Sequence, residues 1–232
     1  MKNFLCHFLT FIRKQKRRFL CLTLLFCLLT LFCSCNNAVD YFSYVSELRS
    51  NVLLAQNEQF SVRVYALQKE QPYIADGIKQ ECAKRTEIRL IAPSGDQTCQ
   101  LSFTFDGKEY GGEMSFDNVK CEYFYACPLD IGACETLALQ ICYGDTQITL
   151  NAQSVLTKDA LSAKAALDAL VEAEKALFES MTDRYGFAGE IYLRLLYEDA
   201  PYYYIGVIDR NGGTHAFLMN ALTGKILARR QS

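Results

Sequence analysis

In 232 residues the chain carries 24 Lys and Arg against 26 Asp and Glu, and residues 1–35 hold six of the basic residues and no acidic one. The remainder therefore has 18 basic against 26 acidic residues, a net charge of −8. Phosphate backbones and anionic head groups repel such a body, so nucleic acid is not expected as a partner and membrane attachment has to come from the N-terminal segment.

That segment is read first. Lys2, Arg13, Lys14, Lys16, Arg17 and Arg18 precede an unbroken apolar run from Phe19 to Cys33, and hydrophobicity stops at Ser34, Cys35, Asn36 and Asn37. A basic stretch, a short apolar stretch and a small residue before the boundary form an export signal. Three outcomes are open. A retained membrane helix needs about 20 apolar residues, and this run is shorter. Ordinary cleavage needs small residues one and three positions before the cut, which Ala38 with Asn36 does not offer. The third outcome is favoured: Leu31–Cys35 resembles a lipobox, with the chain cut between Ser34 and Cys35 and the Cys35 thiol acylated. All three deliver residues 36–232 outside the cytoplasm, and the expected address is the outer face of the cell membrane, held by a lipid.

Six cysteines follow the leader: Cys82, Cys99, Cys121, Cys127, Cys134 and Cys142. An even count in an exported chain permits disulfides, six allow fifteen connectivities, and free buried thiols are an equal alternative. Cys99 falls on the apolar side of the alternation Cys99, Leu101, Phe103, Phe105. No metal site is expected, because no C-x-x-C pair occurs and His215 is the one histidine after the leader. The same count prunes nucleophilic catalysis, since any Ser-His-Asp or Cys-His group would have to use His215. No phosphate-loop, dinucleotide-binding, zincin or nucleophile-elbow pattern is present. No cofactor is expected and no catalytic residue is assigned. A carboxylate pair of the glycosidase kind would not show in a linear reading.

Residues 36–155 read as short strands. Phe60, Val62, Val64 and Ala66 alternate with Ser61, Arg63 and Tyr65. Ile88 with Leu90, then Cys99–Phe105, 110–116, 121–127, 137–143 and 146–150 continue the series. Pro93–Asp96, Asp106-Gly107 and Gly144-Asp145 mark turns. This spacing predicts an antiparallel β-sandwich of immunoglobulin-like type. Gln68–Lys84 breaks the rhythm and reads as a long loop with a helical turn near Ile78–Ala83. A binding surface commonly sits on such a loop.

From residue 156 the texture changes. Lys158–Thr182 is rich in strong helix formers, with Ala163, Leu167, Leu170, Ala173, Leu177 and Met181 on one stripe and Thr157 as N-cap. Strands are then expected at 191–198, Tyr202–Asp209, Thr214–Asn220 and Lys225–Arg229, with a tight type I′ turn at Asn211-Gly212. In Tyr202-Tyr203-Tyr204, the first and third share a face and the second takes the other. The expected fold class is α+β: the sandwich, then a helix packed on a four-stranded antiparallel sheet over 156–232.

The run Tyr202–Gly213 followed by Phe217–Leu227 resembles the end of a PepSY domain. Asn220, Ala221, Thr223, Gly224, Ile226 and Leu227 match that family's closing turn and last strand. The resemblance implies an extracytoplasmic, non-catalytic domain that modulates proteases or acts as a binding module, and it carries over no catalytic residue. The expectation for the whole is a membrane-anchored lipoprotein that binds a protein or peptide partner at the envelope. An accessory hydrolase or protease regulator, or a purely structural envelope protein, is the alternative.

Overall fold

β1 (Val45–Gln56) is the strand on which the rest is assembled, and its sequence gives little warning of that role. In this computed structural model, which describes residues 39–232, β1 runs antiparallel to β2 (Ser61–Glu70) along most of its length. A bulge between Arg49 and Asn51 shifts its phase, as one inserted residue must where side chains alternate at every position. Glu47 and Arg49 before the bulge, and Val52 and Leu54 after it, lie on one side of the strand; Leu53 points into a core with no exposure.

β2 pairs with β3 (Cys82–Ile91), β3 with β7 (Glu122–Cys127), and β7 with the three-residue β6 (Ser115–Asp117). β4 (Cys99–Phe105) lies between β5 (Lys108–Glu113) and β8 (Thr136–Tyr143), and β9 (Thr146–Ser154) returns along β8 to touch β1 at Leu53 and Leu54. One core gathers Leu53, Val62, Val64, Ile88, Leu90 and Tyr123 with Leu101, Phe103, Leu139 and Ile141. Asp106 and Gly107 both take positive φ, 48° and 73°, which completes the expected tight hairpin.

The expected fold class, an immunoglobulin-like sandwich followed by a helix packed on its own four-stranded sheet, is overturned. β12 (Gly189–Tyr197), β13 (Pro201–Asp209), β14 (Thr214–Asn220) and β15 (Ile226–Gln231) do form a meander. However, β12 pairs in parallel with β1, Val45 opposite Ile191 and Arg49 opposite Arg194. The meander is thus part of one sheet of 13 strands, nearly closed through β9, and the molecule is mostly β. Asp40–Ser232 forms one compact unit. The cause lies in β1, which offers one edge to β2 and the other first to β12 and then to β9.

The expected single helix is two short ones, α1 (Ala163–Ala173) and α2 (Lys175–Ser180), interrupted at Glu174. Ser162 rather than Thr157 caps α1, its hydroxyl accepting from the Ala165 amide at 3.2 Å. Ala166, Leu167 and Leu170 are buried with Leu193, Leu195, Tyr203, Ile205 and Val207 of the sheet, and the Tyr203 hydroxyl donates to the Leu161 carbonyl at 2.8 Å. Phe178 and Phe187 pack edge-on with Tyr41 of the short 3-10 turn Tyr41–Tyr44. A two-residue hairpin, β10 (Thr182–Asp183) with β11 (Gly186–Phe187), lies between helix and sheet in the chain.

Two turns also differ from expectation. Asn211 has no positive φ, so Asn211-Gly212 is not a type I′ turn; the loop is 210–213, closed by the Asp209 carboxylate accepting from the Asn211 and Gly213 amides. No helical turn occurs at Ile78–Ala83, because Cys82 and Ala83 already belong to β3, and the expected long loop narrows to residues 71–81. Cys82, Cys99, Cys121, Cys127, Cys134 and Cys142 are all free thiols. Ser34 and Cys35 lie outside the described residues. Among the described residues no helix is long and apolar enough to cross a membrane.

Candidate binding face

Alternation along β12, β1, β2 and β3 sends one set of side chains toward α1 or the core and the other set to the opposite, outer face of the sheet. The outer set is polar and aromatic: Tyr192 and Arg194, Glu47 and Arg49, Arg63 and Tyr65, Glu87 and Arg89. Register brings them together, with Arg49 opposite Arg194, Tyr65 opposite Glu87 and Arg63 opposite Arg89. The face has an open half over β2 and β3 and a half over β12 that residues 71–81 cover.

On the open half, the Arg49 guanidinium stands 4.4 Å from the Tyr65 ring centre and that of Arg89 5.8 Å from the same ring. Tyr65 is thus held by cations from both neighbouring strands. Arg89 is neutralised by Glu122 and, at 3.4 Å, by Glu87, and these carboxylates raise its pKa against the opposing effect of burial. Arg49 has no such partner among the described residues. Burial lowers its pKa, its Nε has no hydrogen-bond acceptor, and its remaining contact is a long one, 3.5 Å, to the Leu195 carbonyl. Arg63 is exposed, pairs with no carboxylate among the described residues, and faces Arg89 directly across the strands. Like charges so placed are destabilising when nothing answers them. Two hollows flank Arg63. One, of about 430 Å³, reaches Gln56, Tyr197 and Glu198; the other, of about 420 Å³, reaches Ile91, Lys120 and Glu122.

On the covered half, Arg194 grips Glu47 with two hydrogen bonds, 2.8 and 2.7 Å, the fork geometry that carboxylates bind best. Tyr192 lies flat across β13 against Tyr204, ring centres 5.6 Å apart. That posture needs Gly206, where a Cβ would fall 1.8 Å from the Tyr192 ring. Beside them Glu190 is fully buried, and neither carboxyl oxygen has a hydrogen-bond partner among the described residues. The Ser46 hydroxyl, close by, is turned to the Ile191 carbonyl instead, at 3.3 Å. Desolvation, then the like charges of Glu70 and Asp76, push Glu190 up to about 7, outweighing the Ser46 hydroxyl and Gly77 amide that favour its anion. Glu70 is buried as well, one oxygen accepting from the Gln80 amide and the other unpartnered. Tyr73, from the covering segment, faces Glu190, Glu47 and Arg194, and its hydroxyl is pushed up to about 12, chiefly by burial.

The residues that sequence reasoning brought forward are scattered. His215 lies on β14, opposite Val207 and Gln231, away from this face. Of the tyrosine triplet, Tyr203 is buried on the helix side, Tyr202 donates to Asp199 at 2.8 Å, and Tyr204 reaches the face through Tyr192. The Asn220–Gly224 turn is closed by the Asn220 side chain accepting from the Leu222 and Thr223 amides, 2.9 Å each, with Gly224 at φ 68°. Glu47, Arg49, Glu70 and Glu190 escaped sequence reading. One signal was present for Glu190: it stands two and four residues before Tyr192 and Arg194, so it shares their polar side rather than the apolar side of Ile191. The chain matches no protein-family model, no curated protein and no solved structure.

Proposed function

We propose that the chain is an exported lipoprotein, anchored through Cys35 to the outer face of the cell membrane, whose outer sheet face binds a protein or peptide partner without catalysis. The observation that carries the binding reading is the cationic and aromatic cluster Arg49, Tyr65, Arg63 and Arg89 in a body of net charge −8. Among the described residues Arg49 and Arg63 have no carboxylate of their own, and hollows open beside Arg63. A segment rich in Asp and Glu supplies what the face lacks, since a guanidinium binds a carboxylate bidentately and a neighbouring tyrosine ring orients it. The PepSY resemblance of residues 202–227 belongs to the same proposal, because it implies an extracytoplasmic module with no catalytic residues.

The test is titration with a synthetic Glu-rich peptide. Binding that weakens steeply with salt and falls at least tenfold in Arg63→Glu supports the reading; equal binding by both proteins removes it. Anchoring has a separate test, in which palmitate labels the wild-type chain and leaves Cys35→Ala unlabelled.

A further inference from the structure

Residues 71–81 leave the sheet at Glu70 and re-enter it at Cys82, and those two residues face each other across β2 and β3. The segment is therefore a closed strap of eleven residues whose ends are pinned together, an Ω-loop in form. From that base it reaches toward β12 and β13. Tyr73 lies among Glu190, Glu47 and Arg194, and Gly77, at φ 78°, sits so flush on the next turn that a Cβ there would come within 2.6 Å of the Asp209 carbonyl. Little apolar contact holds it down, for Ile74 and Ile78 are 55% and 50% exposed.

What lies beneath the strap is acidic. Glu190 of β12 is faced by Glu70 of β2, by Asp76, Tyr73 and the Gly77 amide of the strap, by the Ser46 hydroxyl of β1, and by the Cys82 thiol of β3. Asp209 of β13 borders the strap at Gly77, its carboxylate engaged by its own turn. The cations beside Tyr73 and Cys82 are committed elsewhere: Arg194 to Glu47, and Lys79 to the Ser43 carbonyl. A neutral carboxyl is tolerated in that setting, whereas a carboxylate deprived of water, beside two other carboxylates, is not. Lifting the strap admits water to Glu190 and separates it from Asp76.

We propose that the strap is a proton-controlled latch, closed over β12 and β13 while Glu190 is neutral and lifted when Glu190 ionises. The ionisation range near pH 7 given by the burial of Glu190 puts this switch within ordinary physiological conditions. Opening uncovers Tyr192, Tyr204 and Arg194, which extend the aromatic and cationic row that begins at Tyr65. The latch stands without the binding reading; only its consequence for a partner rests on it.

The test is amide hydrogen exchange on the full chain in detergent, between pH 5.5 and 8.5, corrected for intrinsic rates and referenced to the β2 amides of 62–66. The wild-type strap loses at least tenfold of its protection across that range. Glu190→Gln, an isosteric and permanently neutral side chain, keeps the strap protected throughout. Glu70→Gln, which removes one of the like charges, shrinks the change and serves as the second variant if Glu190→Gln does not fold. A strap equally protected at all pH values overturns the proposal, and so does a pH-dependent change that persists in Glu190→Gln. The Glu-rich peptide separates the two readings: a strap that opens on schedule while peptide affinity stays constant keeps the latch and removes the extension of the binding face.

Discussion

The two halves of the outer face are built from the same residue types by the same strand alternation, yet their charges live under opposite conditions. On the open half Arg89 meets Glu122 and Glu87, Tyr65 is flanked by guanidinium groups, and Arg63 stands in water. On the covered half Arg194 and Glu47 satisfy each other, while neither carboxyl oxygen of Glu190 accepts a hydrogen bond of good geometry from the described residues. The difference is the strap. An acid on this sheet takes its character less from its strand than from what lies over it, because removing water penalises the charged form by more than nearby hydroxyl and amide dipoles return. The variants that follow each disturb one half and should leave the other as it was.

The largest effect is expected at Gly206. Gly206→Val drives methyl groups into the space of the Tyr192 ring, displacing it from Tyr204 and unseating the strap above it. A loss of about 3 kcal/mol in urea unfolding is expected from overpacking of this kind, with the geometry around Tyr65 unchanged. A loss below about 0.5 kcal/mol would show that Tyr192 is not confined by β13.

Next is Glu190→Gln, for which the sign follows from the raised pKa. The folded state holds its proton up to about 7, whereas the unfolded chain gives it up at the ordinary carboxylate range, so the folded state binds more protons between the two. Stability from this group is therefore fully present below the unfolded pKa and declines as pH rises toward 7. The glutamine variant should escape that decline and be more stable than wild type in urea unfolding at pH 8 by up to about 3 kcal/mol, with the gap closing near pH 4. A gap of the same size at both pH values would place the effect in packing instead.

Arg194→Ala should cost somewhat less, about 1–2 kcal/mol. It strips Glu47 of both hydrogen bonds, but the Arg194 side chain is 31% exposed and water can enter in its place. Arg194→Lys should recover only part of the loss, since an ammonium cannot form the fork.

Strand positions from β2 to β9 and from β12 to β15 were largely legible in the sequence, because most of them have one buried side and are bounded by turn residues such as Asp106-Gly107 and Gly144; β5, β6 and β15, which have no buried residue, are placed by their turns and partners alone. β1 was not. Its apolar residues Val45, Leu48, Val52, Leu53 and Leu54 follow no simple period, because the bulge at Ser50 changes phase part-way. The decisive contact, β1 beside β12, joins residues more than 140 positions apart in parallel, and local patterning carries no record of such a partner. The helix stripe was visible, but its interruption at Glu174 was not, since nothing in the side chains there breaks the period. For the face itself, Arg63 and Tyr65 were marked as the polar side of a strand, while Arg49 and Glu190 needed β1 in place before they had neighbours. The loop over 71–81 was noticed for its length, and its cargo could not be, because Glu190 arrives from a strand more than 100 residues later.

The smallest stability effect and the sharpest functional one should coincide at Arg63. Its side chain is exposed and lies opposite Arg89, so Arg63→Ala removes a like-charge neighbour and no ion pair. Stability should change by less than about 0.5 kcal/mol, and the strap should titrate as in wild type. Affinity for the Glu-rich peptide should fall about tenfold, and the dependence on salt should become shallower, because one fewer exposed charge takes part in the encounter. Tyr65→Ala probes the same spot by a different route: it removes the ring that holds Arg49 and Arg89 in place, so affinity should fall while the salt dependence keeps its slope. If Arg63→Ala destabilises the fold by more than about 1 kcal/mol, the residue serves packing rather than recognition.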